Sequence, residues 1–247
     1  MKKIIILCTL IFCSAAVART INWYVDGSVY QTTTCNSGDG ITPPTAPAKY
    51  GYTFQEWNTA YTPIEYLEST GTQYIDAELN FPRGFIAETS FEITDMTSSC
   101  LFGSWDDKNR NFLWLYNNGV LQVAAGDGGL SYTVSNLTSR KNYIISNTIH
   151  PYLKIFGVKQ EETVNTISYF YNNLSFYIFA RNNKGTAQFF ASMKMYNLKL
   201  YHDSILVRNF IPVLDKNGTP CMYDKVSGTF FYNAGTGNFI AGPVISE

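Results

Sequence analysis

The residues of this chain best placed to do chemistry sit close together: Trp105, Asp106, Asp107 and Arg110, then Trp114 and Tyr116 two positions apart. Aromatic rings offer flat faces on which a sugar can stack, and a few fixed polar groups then orient it. The adjacent carboxylates Asp106 and Asp107 suggest a second chemistry, oxygen ligation of Ca²⁺. That ion takes about six to eight oxygen ligands, and the sequence nominates only these two. The plainer alternative makes residues 106–110 a solvated loop and Trp114 a core residue. No other metal or cofactor is implied.

Catalytic groups are scarce. A Ser–His–Asp or Cys–His arrangement must use His150 or His202, the two histidines of the chain. His150 precedes Pro151 at an expected strand end, and His202 follows a strand; both read as turn or surface residues. No HExxH, no CxxC pair and no phosphate-cradling glycine loop occurs, and Gly235-Thr236-Gly237 reads as a turn. Glycoside hydrolysis needs two carboxylates about 5–5.5 Å apart for retention, or about 6.5–9.5 Å for inversion. Glu88 and Glu92 share one face of an expected strand, but four residues of rise separate them by about 13 Å. Only a cross-strand pair of acids would support that reaction. The expectation is a protein without enzymatic activity.

The elements that must position these groups read as strands. Charged residues are only 15% of the chain, while Tyr and Phe number 18 and 17, a composition suited to pleated, half-buried surfaces. Residues 85–94 alternate, with Ala87, Thr89, Phe91 and Ile93 on one face and Glu88, Ser90, Glu92 and Thr94 on the other. Strands are expected at 101–105, 111–116, 120–125, 142–149, 152–156, 174–181, 196–201 and 205–213. Asn117-Asn118-Gly119 supplies the positive φ of a tight hairpin turn between two of them. No segment carries an apolar stripe of helical period over three turns. Many short strands with turns between them indicate a sandwich, or failing that a closed barrel.

Two motifs bracket this strand-rich region, YLESTGTQYIDA at residues 66–77 and YDKVSGTFFYNAGTGNFIAG at 223–242. Together with Leu101-Phe102-Gly103-Ser104 and Leu206-Val207-Arg208-Asn209-Phe210-Ile211-Pro212, they resemble the concanavalin A-like, laminin-G-like jelly rolls of secreted gut-bacterial and phage proteins. The resemblance spans about residues 64–242 and implies a two-sheet antiparallel jelly-roll sandwich whose terminal strands can pair with each other. Residues 19–60 resemble the internalin-type B-repeat, or Listeria–Bacteroides repeat. Trp23-Tyr24-Val25-Asp26-Gly27, Pro44, Pro47 and the block GYTFQEW carry that likeness. It implies a small β-grasp-like unit, and Glu56 stands where the family usually has Gly. The expected organisation is therefore a signal peptide at 1–18, the B-repeat-like unit at 19–60 and the sandwich at 61–247, with residues 61–63 as a link.

Lys2 and Lys3, the apolar run at residues 4–13 and the small-x-small site Ala16-Val17-Ala18 predict export. The run is too short for a comfortable membrane span, and no second long apolar run follows. A lipoprotein is disfavoured because Phe12 precedes Cys13, where a small residue is needed. The formal net charge of −1 becomes more negative once Lys2 and Lys3 leave, and no basic patch offers itself to nucleic acid. Five cysteines become three: Cys35, Cys100 and Cys221. An exported compartment permits a disulfide, and Cys100–Cys221 is the favoured pair because both lie in the large domain; three unpaired thiols are the alternative. The sequons at Asn136, Asn173 and Asn217 read as chance. The expected role is non-catalytic binding in the periplasm, at the surface or in the medium. Glycan is the first partner considered and a surface protein the second.

Overall fold

The computed structural model describes residues 9–11, 19–25, 28–35, 43–48, 61–107, 109–148, 152–160, 163–164 and 171–245. The cleavage site at 16–18, the GYTFQEW block and His150 lie outside them. Every regular element among the described residues is a β-strand. β1 (Thr9–Ile11), β2 (Arg19–Val25) and β3 (Ser28–Cys35) form a small antiparallel sheet in that order. β1 falls inside the expected leader. Trp23 is buried there, and its Nε1 donates to Thr33 Oγ1. Among the described residues no strand pairing joins this sheet to the two larger ones.

The rest of the chain supplies β4 (Tyr61–Pro63), β5 (Leu67–Thr70), β6 (Ile75–Asn80), β7 (Ile86–Ile93), β8 (Ser99–Asp106), β9 (Asn109–Leu115) and β10 (Val120–Gly126). Next come β11 (Gly128–Thr133), β12 (Lys141–Ser146), β13 (Tyr152–Ile155), β14 (Val158–Lys159), β15 (Thr163–Val164) and β16 (Ser175–Ile178). β17 (Arg181–Asn183), β18 (Thr186–Gln188), β19 (Ser192–His202), β20 (Ile205–Asp215), β21 (Pro220–Asp224), β22 (Thr229–Phe231) and β23 (Ile240–Ala241) complete it.

These strands form two sheets packed face to face, a β-sandwich. One has nine strands, ordered β15-β11-β10-β9-β8-β16-β6, with the β17–β18 hairpin attached through β8. The other has eleven, ordered β14-β13-β12-β7-β19-β20-β21-β22, with β5 on β19, β23 on β5 and β4 on β20. Residues 61–63 are thus a short strand against residues 213–215 rather than a link.

Alternation sends Ala87, Phe91 and Ile93 of β7, Leu113 and Leu115 of β9, and Leu121 and Val123 of β10 into the space between the sheets. Phe81, Phe85, Phe102 and Phe176 fill its centre with ring centroids 5.0–5.8 Å apart, and Phe91 stacks on Tyr143 at 4.0 Å. Edge-to-face and offset ring pairs add about 0.5–1.5 kcal/mol each beyond area burial.

The two bracketing motifs meet. Ile240 and Ala241 pair with Glu68 and Leu67, and the Ala234 and Thr236 amides donate to the carbonyls of Tyr74 and Thr72 at 2.8 and 3.1 Å. Asn233 Oδ1 accepts from the Tyr74 and Gly235 amides. A Cβ at Gly235 would stand 2.2 Å from the Thr72 carbonyl oxygen, so the close approach requires glycine. Asp224, fully buried, accepts from the amides of Asn209, Val226 and Ser227 at 2.7–3.1 Å, and Arg208 Nε lies 3.7 Å away. Its carboxylate organises the β21–β22 turn.

Candidate functional site

The candidate site lies on the outer face of the nine-stranded sheet, where β8 and β9 form a hairpin. Strict alternation cannot place Cys100 and Trp105 on one face, because five residues separate them. A bulge between Cys100 and Phe102 absorbs the odd residue: Leu101 and Phe102 both enter the core, while Cys100 and Trp105 both face outward. Opposite them on β9, Trp114 pairs with Cys100 and Arg110 pairs with Trp105. Cys100, Phe112 and Ala124 form a small buried cluster on this face, with Trp105 and Trp114 packed against it. Phe112, Trp114 and Tyr116 follow in a row at 5.8 and 6.3 Å, and the Tyr116 hydroxyl donates to Gln122 Oε1.

The β17–β18 hairpin brings in the residue that organises the cluster. β17 runs parallel to β8, with Asn182 and Asn183 beside Ser104 and Trp105. Its tight turn places Lys184 and Gly185 at positive φ, and Lys184 reaches Asp107 as an ion pair. Arg181 then lies in a box of rings, its guanidinium carbon 4.2 Å from the Trp105 ring, 4.5 Å from Phe189, 5.7 Å from Trp114 and 5.8 Å from Phe112. Only 7% of Arg181 is exposed. Its Nη2 donates to Gln188 Oε1 at 3.1 Å, and its Nε is buried without a partner among the described residues. No carboxylate pairs with it among the described residues. Burial lowers the Arg181 pKa, and Arg110 adds a like charge; the one opposing group is Cys100, whose thiol burial itself pushes upward. Phe189 is 48% exposed and Tyr116 38%, while Trp105 and Trp114 are half-buried, so the face is aromatic, cationic at its centre and open at its rim.

Trp105, Arg110, Trp114 and Tyr116 are thus brought to one face as their spacing allowed. Asp106 and Asp107 sit on the β8–β9 turn, where Trp105 Nε1 donates to the Asp107 carbonyl. The Asp107 carboxylate is engaged by Lys184, and no group of three or more His, Cys, Asp or Glu side chains suited to a metal occurs among the described residues. Sequence reasoning missed Arg181, Phe112 and Phe189. Phe112 was legible, two positions before Trp114; Arg181 and Phe189 reach the face through a hairpin whose only signal is Lys184-Gly185.

The other candidates fall elsewhere. Glu88 and Glu92 face outward on the eleven-stranded sheet, each beside a lysine: Glu88 with Lys199 at 3.6 Å and Glu92 with Lys194 at 2.7 Å. A bulge at residue 196 turns Tyr196 outward to donate to Glu92 at 3.0 Å. Burial pushes the Glu92 carboxyl up, but hydrogen bonds from Lys194 and Tyr196 and the charges of Lys194 and Arg140 outweigh it and hold the group below its usual range. His202 ends β19 on a turn formed by Asp203 and Ser204, both at positive φ, with Asp203 3.8 Å away. Cys100 and Cys221 are buried free thiols in different sheets. The expected bridge between them does not form: Cys100 faces outward from β8 of the nine-stranded sheet, while Cys221 belongs to β21 of the eleven-stranded one. Only the backbone of Cys35 is described.

No protein-family model matches the chain, and no curated protein matches it.

Proposed function

We propose that the chain is an exported, non-catalytic binding protein that holds glycan against the aromatic outer face of its nine-stranded sheet. The observation that supports this most is the partly exposed row of Trp105, Trp114, Tyr116 and Phe189 on one sheet face. Exposed rings gathered on a rigid sheet suit sugar stacking, and Gln122, Gln188 and Arg110 provide polar groups nearby. The non-catalytic reading draws on the opposite face, where Glu88 and Glu92 are each charge-balanced by lysine. Export rests on the N-terminal pattern, and among the described residues no helix is long and apolar enough to cross a membrane. The jelly-roll and B-repeat resemblances remain part of this proposal.

A glycan array probed with the full secreted chain tests the reading. Retention of defined sugars, with no reducing-sugar release from them, is the expected outcome. A second reading, a protein-binding or assembly module, is favoured by one observation. The β13–β14 hairpin at the edge of the eleven-stranded sheet exposes Phe156 and Val158 by 63% and 66%. An exposed edge of this kind can add to a partner's sheet. Capture of an envelope protein that Phe156→Ser abolishes, together with a blank array, would favour it instead.

A further inference from the structure

Arg181 is an unusual centre for a stacking surface. It is a buried cation with a single side-chain hydrogen bond, to Gln188, and no carboxylate partner among the described residues. A guanidinium carries five N–H donors in a fixed fork that matches a carboxylate in bidentate fashion. Removing such a charge from water is costly unless something compensates. Stacking between Trp105 and Phe189 compensates in part, because a desolvated cation is attracted to an aromatic face. Its buried Nε has no partner among the described residues. Arg110, opposite Trp105 on the same face, adds a second positive charge.

We propose that this face selects acidic sugars, with Arg181 receiving the carboxylate of a uronic- or sialic-type residue while the surrounding rings stack on the sugar. The inference deepens the glycan reading and rests on it. Phe189 is the ring that must shift to admit the ligand. It covers the guanidinium at 4.5 Å, is nearly half exposed, and follows the short strand β18 with a positive φ of 54°. Trp105 and Trp114 are packed on the buried cluster beneath and stay as the platform. Arg110 at the Trp105 end gives the anion a second attraction, one that salt weakens.

The test is a calorimetric titration of the full secreted chain with oligogalacturonide, its carboxyl-reduced neutral counterpart, a sialyl-oligosaccharide and a sulfated oligosaccharide. A carboxylated sugar is expected to bind at least about tenfold more tightly than the neutral counterpart, as a charge-assisted hydrogen-bond pair would give. Arg181→Gln is expected to erase that difference, bringing the carboxylated sugar down to the affinity of its neutral counterpart. Should that variant fail to fold, the wild-type comparison still decides. Equal binding of the charged and reduced sugars would overturn the acidic preference and leave the glycan reading standing. A preference for the sulfated sugar over both carboxylated ones would overturn the carboxylate assignment. No binding of any sugar, here or on the array, would remove the glycan reading itself.

Discussion

Tyr143 and Arg181 show two fates of a buried polar side chain. Tyr143 stacks flat on Phe91 in the core, and its hydroxyl has no partner among the described residues. A buried unmatched hydroxyl costs about 1–3 kcal/mol, so Tyr143→Phe keeps the ring and removes the penalty. The variant is expected to be more stable by about 1 kcal/mol in urea unfolding; a loss of stability would reveal a partner for that hydroxyl. Asp215 is the opposite case. Burial pushes its carboxyl up, but the amides of Thr219 and Asn217 and the Tyr232 hydroxyl outweigh this, and its pKa is lowered. A depressed folded pKa adds stability that is fully present above the unfolded value, about 3.9, and is lost as pH falls through the folded value. Asp215→Asn should therefore be less stable than wild type at neutral pH, with the gap closing in acid below that range. A gap that does not depend on pH would contradict the charge's role. At this scale Trp105, Arg110, Trp114 and Tyr116 could be nominated from their closeness in the sequence, and the β8–β9 hairpin brings them to one face. Arg181 was not, because no local period marks a side chain that crosses to another strand's face.

At the scale of elements, most strands were legible because alternation survives in the sequence wherever one face is buried. β7 is the clearest case, with Ala87, Phe91 and Ile93 inward and Glu88 and Glu92 outward. Two bulges shortened the reading of others, 101–105 for β8 and 196–201 for β19. At Leu101 and at Tyr196 an extra residue shifts the period, so that Met193 and Met195 face the core before the second bulge and Leu198 and Leu200 after it. β11 escaped notice because it opens with Gly128-Gly129, which reads as a turn. In the sheet Gly129 is needed for close approach, since a Cβ there would stand 2.9 Å from the Val123 carbonyl oxygen. The bracketing motifs announced themselves, and their function is mutual pairing. Gly235→Ala would press a methyl group onto the Thr72 carbonyl, and overpacking of this kind costs about 1–3 kcal/mol. The variant is expected to lose that much stability, with faster amide exchange at Ala234 and Thr236. Unchanged exchange at both amides would mean that the motifs do not hold each other.

At the scale of the whole molecule, the sandwich carries two unlike outer faces. The eleven-stranded sheet presents charge balanced within itself, Lys194 with Glu92, Lys199 with Glu88, and Arg140 stacked 3.9 Å from the Tyr196 ring and ion-paired with Glu65. Groups matched in this way have little left to offer a ligand. The nine-stranded sheet presents rings around Arg181, which has no carboxylate partner among the described residues, and the β17–β18 hairpin carries that cation onto the face. The sandwich was legible from turn spacing and strand composition; the division between the faces was not, because it depends on register across strands far apart in the chain. The most direct measurement is retention of the full chain and its Trp114→Ala variant on one glycan array, with both checked for the same strand content by circular dichroism. Retention by wild type with a loss of about tenfold or more in the variant, or about 1.4 kcal/mol of binding free energy, is predicted; equal retention by both, or none by wild type, would contradict the assignment of this face.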